Sequence, residues 1–338
     1  MNTRLLFSYS KNHLAMHERK TWIDLLRGFS MLAILLDHTE IYYTGGNIID
    51  YNLYVANVLV VFFFLSGYLF HKDSGFSLRS KLISIGRGIL MPYFIFTCTL
   101  AVPKALAHGS DIANTFLAVL TGEASWFIAA LAVAETAFAL LLWISRGKWC
   151  ILLPMVTLSF AGCVWLSTCH FPLYWQLDNA CMALPILYLG YVYHRHEQAF
   201  NAIHSPFSTS FLLLCVVVMK IYEYENNINL LIKPIAVTNW YVFVIDMTFA
   251  TLFLVHLAKY FNSIGWMEWI GCRSIVFYFL SGGIPLLVSV GLQKANMSYS
   301  GEYYQVMTAY LLVCLFTAFL TWLIYRFVPF ITGRKMQQ

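Results

Sequence analysis

Apolar stretches, each about long enough to cross a bilayer, recur along the whole chain and are separated by short polar breaks. A transmembrane helix needs roughly 20 mostly apolar residues. Ten windows meet that length: 22–43, 53–70, 85–107, 125–145, 149–168, 178–194, 207–222, 237–258, 272–293 and 305–328. The seventh is short, and its boundary falls near Lys220. No internal repeat or low-complexity tract interrupts the series, and the loops read as short throughout. The pattern predicts an all-α integral membrane protein with about ten transmembrane helices in one bundle. It divides the chain into an N-terminal segment 1–20, a membrane domain 21–330 and a tail 331–338.

Charge adds direction. With the N-terminus placed in the cytoplasm, 17 of the 21 Lys and Arg residues fall on the cytoplasmic side. Only Lys104, Lys220, Lys233 and Lys294 fall outside. Cytoplasmic loops carry such an excess, so both termini are expected inside. Composition agrees: 60% of the 338 residues are hydrophobic and 11% are charged, against about 25% charged in soluble domains. The net charge of +5 is scattered between apolar segments with no long basic run, so no nucleic-acid partner is expected. The eight cysteines form no C-x-x-C pair and sit in or beside apolar segments, where thiols behave as small hydrophobes. No metal site is expected. The first 20 residues are polar and the first apolar run lacks a small-residue cleavage site, so no cleavable leader is expected.

Ionisable groups at membrane depth are costly and therefore candidates for function. The first span holds the densest set: Asp24, Arg27, Asp37, His38 and Glu40. Arg27 and His38 are eleven residues apart, which brings them within about 20° of one helical face with a rise of about 16 Å. Asp24 lies one turn before Arg27 on that side. A long cofactor with an anionic head could hold its phosphates near Arg27 and deliver its reactive end near His38. Acyl-coenzyme A has that shape, and a near-neutral imidazole can serve as general base toward a hydroxyl. The bland alternative has Arg27 snorkelling to the interface and His38 hydrogen-bonded in the bundle.

Arg79, Lys81 and Arg87 precede Pro92 at the start of the third span and could complete a phosphate rim, although positive-inside topology also puts them there. Glu135 lies within the fourth span, where it could orient His38, line the acceptor path or pair structurally. Asp246 and His256 share the eighth span and raise the same question, while Asp178 lies near the outer interface. Ser66 and Gly67, small residues amid bulky aromatics, read as helix packing.

Five ordered stretches resemble the acyltransferase-3 family of bacterial membrane acyltransferases, in particular its sugar O-acetylase branch. They are W-I-D-L-L-R-G-F-S-M-L-A-I-L-L-D-H over Trp22–His38, V-F-F-F-L-S-G-Y-L-F over Val61–Phe70, and the basic stretch leading to Pro92 and Tyr93. The others are S-W-F-I-A-A-L over Ser125–Leu131 and A-L-P-I-L-Y-L-G-Y over Ala183–Tyr191. The likeness covers the chain from about residue 20 to the last span. It implies that His38 is the histidine of acyl transfer and that Arg27 is its companion arginine; on the chemistry of the residues, Asp37 or Glu135 could orient or tune the imidazole. Lys81 and Arg87 fall where the family carries its basic pair, here with a lysine for one arginine and wider spacing. They would hold donor phosphates beside Arg27 and Asp24. The family often has a histidine where Ser281 stands. The resemblance further implies a bacterial inner-membrane enzyme. It would move an acetyl or other short acyl group from acetyl-CoA or a related acyl-CoA to an envelope glycan or lipid-linked sugar. A transporter or flippase for an envelope precursor is the alternative from another class. Paired broken helices, common in transporters, are not evident in the sequence.

Overall fold

The computed structural model describes residues 20–71, 75–108, 111–169, 173–261 and 263–332. Nearly all of the segment 1–20, most of the tail 331–338 and Lys72 lie outside the described residues. Helix α1 runs over Thr21–Thr44 and stops at Gly45, whose left-handed backbone (φ 87°) lets its N–H bond back to Ile41. Helix α2, Tyr51–Tyr68, starts at Asp50, whose carboxylate accepts from the Asn52 N–H. Next come α3 (Leu78–Ile85), a π-helical turn (Gly86–Leu90) and α4 (Met91–His108). Pro92, which cannot donate a backbone hydrogen bond, follows the widened turn directly.

The chain continues through α5 (Ile112–Thr121), α6 (Trp126–Ser145), α7 (Trp149–Cys169), α8 (Leu177–Arg195), α9 (Glu197–Ile203) and α10 (Pro206–Glu225). Two short antiparallel strands, β1 (Leu230–Leu231) and β2 (Ala236–Val237), pair Leu230 with Val237. Helices α11 (Trp240–Tyr260), α12 (Gly265–Gly271), α13 (Ser274–Ser281), α14 (Ile284–Lys294) and α15 (Tyr303–Phe327) complete the fold.

The apolar windows fall largely on helix, although 237–258 begins on β2 and 272–293 is broken at Gly282 and Gly283. Among the described residues, 7 helical stretches are long and apolar enough to cross a membrane. Helices α13 and α14, bent by 46° about Gly282 and Gly283, add an eighth if taken together. Helices α1 and α8, of 24 and 19 residues, are also long enough but more polar. Two features escaped the hydropathy windows. Helix α5 lies where a plain loop was expected, set off from α6 by a left-handed turn at Gly122. A β-hairpin joins α10 to α11.

Helix α2 is the centre of the bundle. In its window 72% of residues are buried, against 6% in α10, which presents its side chains outward. One close crossing is between α2 and α8. A Cβ on Gly67 would lie 1.9 Å from the Leu187 carbonyl oxygen, and one on Gly190 2.0 Å from that of Phe64. Backbone meets backbone there, so the packing reading of Gly67 holds. Gly190→Ala is expected to lower stability by about 1–3 kcal/mol or more, because the obstacle is main chain and cannot rotate away. Thermal unfolding of the purified protein would measure it, and an unchanged midpoint would contradict the crossing.

One end of the bundle is tied by a charged cluster. Glu197 accepts hydrogen bonds from Lys20, from Tyr68 Oη at 2.6 Å and from Lys259 Nζ at 3.0 Å. The starts of α1 and α9 and the ends of α2 and α11 therefore meet on one face. Burial alone would raise the Glu197 carboxyl, but the Lys20, Tyr68 and Lys259 hydrogen bonds outweigh it and hold it at about 2. A depressed carboxyl stabilises the fold fully above its ordinary pKa of 4.5 and loses that contribution as pH falls toward about 2. Glu197→Gln should therefore flatten the wild type's loss of thermal stability across that acid window.

Candidate active site

Helix α1 carries two separate chemical stations. Near its Thr21 end, Asp24 is buried and Arg27 half-buried. Helix α12 lies against this stretch so closely that a Cβ on Gly271 would sit 1.7 Å from the Asp24 carbonyl oxygen. That contact fixes the roll of α1 and turns Arg27 toward a cleft of about 220 Å³ between α1, α2, the π turn, α6 and α13. Arg27, Met31, Ser66, Gly88, Phe127, Glu135 and Tyr278 are among its lining residues.

The cleft's carboxylate is already committed. Glu135 Oε1 accepts from Ser66 Oγ at 2.8 Å, and Oε2 pairs with Lys81 Nζ at 2.8 Å. The Lys81 ammonium also sits 3.7 Å from the centroid of the Phe70 ring, a cation–π contact. Lys81 thus reaches the Arg27 cleft through Glu135, as one member of a pair. Arg87, on the π turn, is exposed and does not line the cleft. Of the expected phosphate rim, Arg27 lines the cleft, Lys81 borders it through Glu135, and Arg79 and Arg87 are exposed.

His38 occupies the second station, toward the Thr44 end. A third of its side chain (34%) is accessible, and its Nδ1 lies 4.0 Å from Asp37 Oδ2. Asp37 is held in turn by Asn47, whose Nδ2 donates to Oδ1 at 2.5 Å. One turn on, Glu40 accepts from the backbone N–H groups of Ile48 and Ile49 and from the Tyr303 hydroxyl at 2.9 Å. These bonds clamp the end of α1 to the loop before α2 and to α15, so His38 projects from a rigid base. The Tyr310 hydroxyl donates to the Leu32 carbonyl at 3.1 Å, another brace from α15.

Between the stations, Ile34 and Leu35 are buried. Of the roles left open for Glu135, the structure shows pairing: its oxygens bond Ser66 and Lys81. Ser66, read only as a packing residue, donates a hydrogen bond into the cleft. Ser281 spends its hydroxyl on the Tyr278 carbonyl at 2.7 Å, closing the end of α13 rather than facing chemistry.

Tyr278, Tyr303 and Asn47 are contributors that sequence reasoning missed. Nothing local marked them: Tyr278 sits inside α13, Tyr303 opens α15 and Asn47 lies in the loop between α1 and α2. His256 packs edge-to-face on His204 with centroids 4.7 Å apart and does not line the Arg27 cleft. No cluster of three or more His, Cys, Asp or Glu side chains among the described residues could hold a metal ion.

Comparison with known proteins adds one finding. No curated protein matches the chain, and no solved structure does. A family profile described as an acyltransferase domain does match, over residues 20–326, from the first residue of the described fold to the end of α15. The polar first helix, the apolar bundle around it and this nearly full-length match place the chain in the acyltransferase-3 family of membrane acyltransferases.

Proposed function

We propose that this acyltransferase moves an acetyl or other short acyl group from acyl-CoA to a hydroxyl of a cell-envelope carbohydrate, in the bacterial inner membrane. In this reading residues 21–330 form the transferase domain and cross the membrane ten times, with both termini cytoplasmic. The observation that carries it is the division of α1. An arginine opens on a cleft at one end, and an accessible histidine stands about 16 Å farther along the axis. That separation suits a donor whose phosphates and thioester are joined by a flexible arm.

Arg27 holds donor phosphates, with the Lys81–Glu135–Ser66 set shaping the wall beside it. Asp24 and Asn47 act through position, the first seating α1 and the second fixing Asp37. His38 takes the proton of the acceptor hydroxyl as the oxygen attacks the thioester carbonyl carbon. The carbon–sulfur bond then breaks, and the departing thiolate receives that proton from the imidazolium. The products are an ester and free CoA, with no net proton change. An acyl-histidine intermediate would use the same residue and the same balance.

The test uses purified full-length protein with labelled acetyl-CoA, alongside ester analysis of envelope glycans from cells with and without it. CoA release and glycan esters that both depend on His38 support the reading. Substrate flux without CoA release would favour a transporter and overturn it.

A further inference from the structure

Outside the residues of either α1 station, the bundle buries a second ionic cluster that the acyl-transfer reading does not use. Lys220 on α10 donates to the Asn52 carbonyl at 2.7 Å, to Asp246 Oδ2 at 2.8 Å and to Glu223 Oε2 at 3.1 Å. An ammonium has three N–H groups, so its donors are all spent. Asn57 Nδ2 adds a bond to the same Asp246 oxygen at 2.7 Å. Helix α2 contributes only these neutral amides and carbonyls. The charged groups are Lys220 and Glu223 from α10 and Asp246 from α11.

The two carboxylates are almost sealed from solvent, Glu223 at 3% exposed and Asp246 at 0%. Each has one oxygen engaged and one without any hydrogen-bond partner: Glu223 Oε1 and Asp246 Oδ1. Glu223 Oε2 and Asp246 Oδ2 bond the same Lys220 ammonium, which holds the two carboxyl groups side by side. As drawn, one cation faces two anions. A buried unpaired charge and two bare acceptors are each costly.

We propose that Glu223 and Asp246 form a proton-binding site, in which one proton is held between the two carboxyl groups. That proton brings the cluster of one ammonium and two carboxyls to neutrality. It also completes a clasp. Helix α10 is otherwise turned outward, and the cluster joins it to α11 through Asp246 and to α2 through Asn52 and Asn57. Asn52 extends the clasp to the hairpin by accepting from the Leu230 N–H at 2.9 Å.

Infrared spectroscopy of the full-length protein in lipid reads this directly, through the carbonyl stretch of a protonated carboxyl. Wild type minus Glu223→Gln should show one such band, and so should wild type minus Asp246→Asn. Either variant leaves one carboxylate against Lys220, with an amide N–H in place of the bridging proton. Lys220→Met should enlarge the wild-type signal about two-fold, because two carboxyls then need protons. A wild-type band that survives both amide substitutions places the proton elsewhere and overturns the proposal. So does the absence of any band that differs between wild type and Glu223→Gln. His38-dependent CoA release by the same preparations reports separately on acyl transfer, so failure of one reading leaves the other distinguishable.

Discussion

Replacing His38 by alanine is expected to reduce acyl transfer by about 10²–10⁴-fold, the usual contribution of a positioned general acid–base group. The loss should fall on kcat. Arg27, three turns away on the opposite side of Ile34 and Leu35, is untouched, so donor affinity should stay near wild type. Folding should also survive, because the bonds that clamp this end of α1 run through Asp37, Glu40 and Tyr310 rather than through the imidazole. Arg27→Ala should show the converse split, raising KM for the acyl donor more than it lowers kcat. Wild-type turnover by the His38 variant at normal protein levels would remove His38 from the mechanism.

The second large effect is expected on stability. Lys81→Met leaves Glu135 buried with only Ser66 as partner, and breaking a buried pair from one side typically costs about 3–5 kcal/mol. Glu135→Met strands Lys81 in the same way. Changing both to methionine should recover most of that loss, since an apolar pair of similar volume is often close to neutral. Unfolding midpoints of the two single variants and the double would show the pattern. If the double variant folds but transfers slowly with a raised KM for donor, the ion pair shapes the cleft. If it transfers normally, the pair is structural alone.

Much of this was legible in the sequence because hydropathy reports on solvent. Most of each apolar window became helix, since backbone groups in a bilayer have few other ways to be satisfied. The Arg27–His38 stripe followed from helical periodicity, which depends only on spacing within one element. What stayed hidden depends on contacts between elements. Nothing local in the chain says that Glu135 would meet Lys81 and Ser66, from segments 54 and 69 residues away. Nor does it say that Lys220 would reach Asn52. Helix α5 went unseen for a different reason: at 10 residues it is too short to register as a span.

The glycine crossings have a consequence for biosynthesis. Gly67 is made early, yet the backbone it must touch at Leu187 emerges some 120 residues later. Gly28 waits longer still, for Met267. During synthesis, α1 and α2 therefore sit in the membrane with their tightest faces bare, and the late arrival of α8 and α12 completes them. Assembly of the Arg27 station is thus a post-insertion event governed by long-range contacts, the slow kind in any topology. Chains halted before α12 would expose the polar face of α1 within the bilayer, a surface that membrane quality control can recognise.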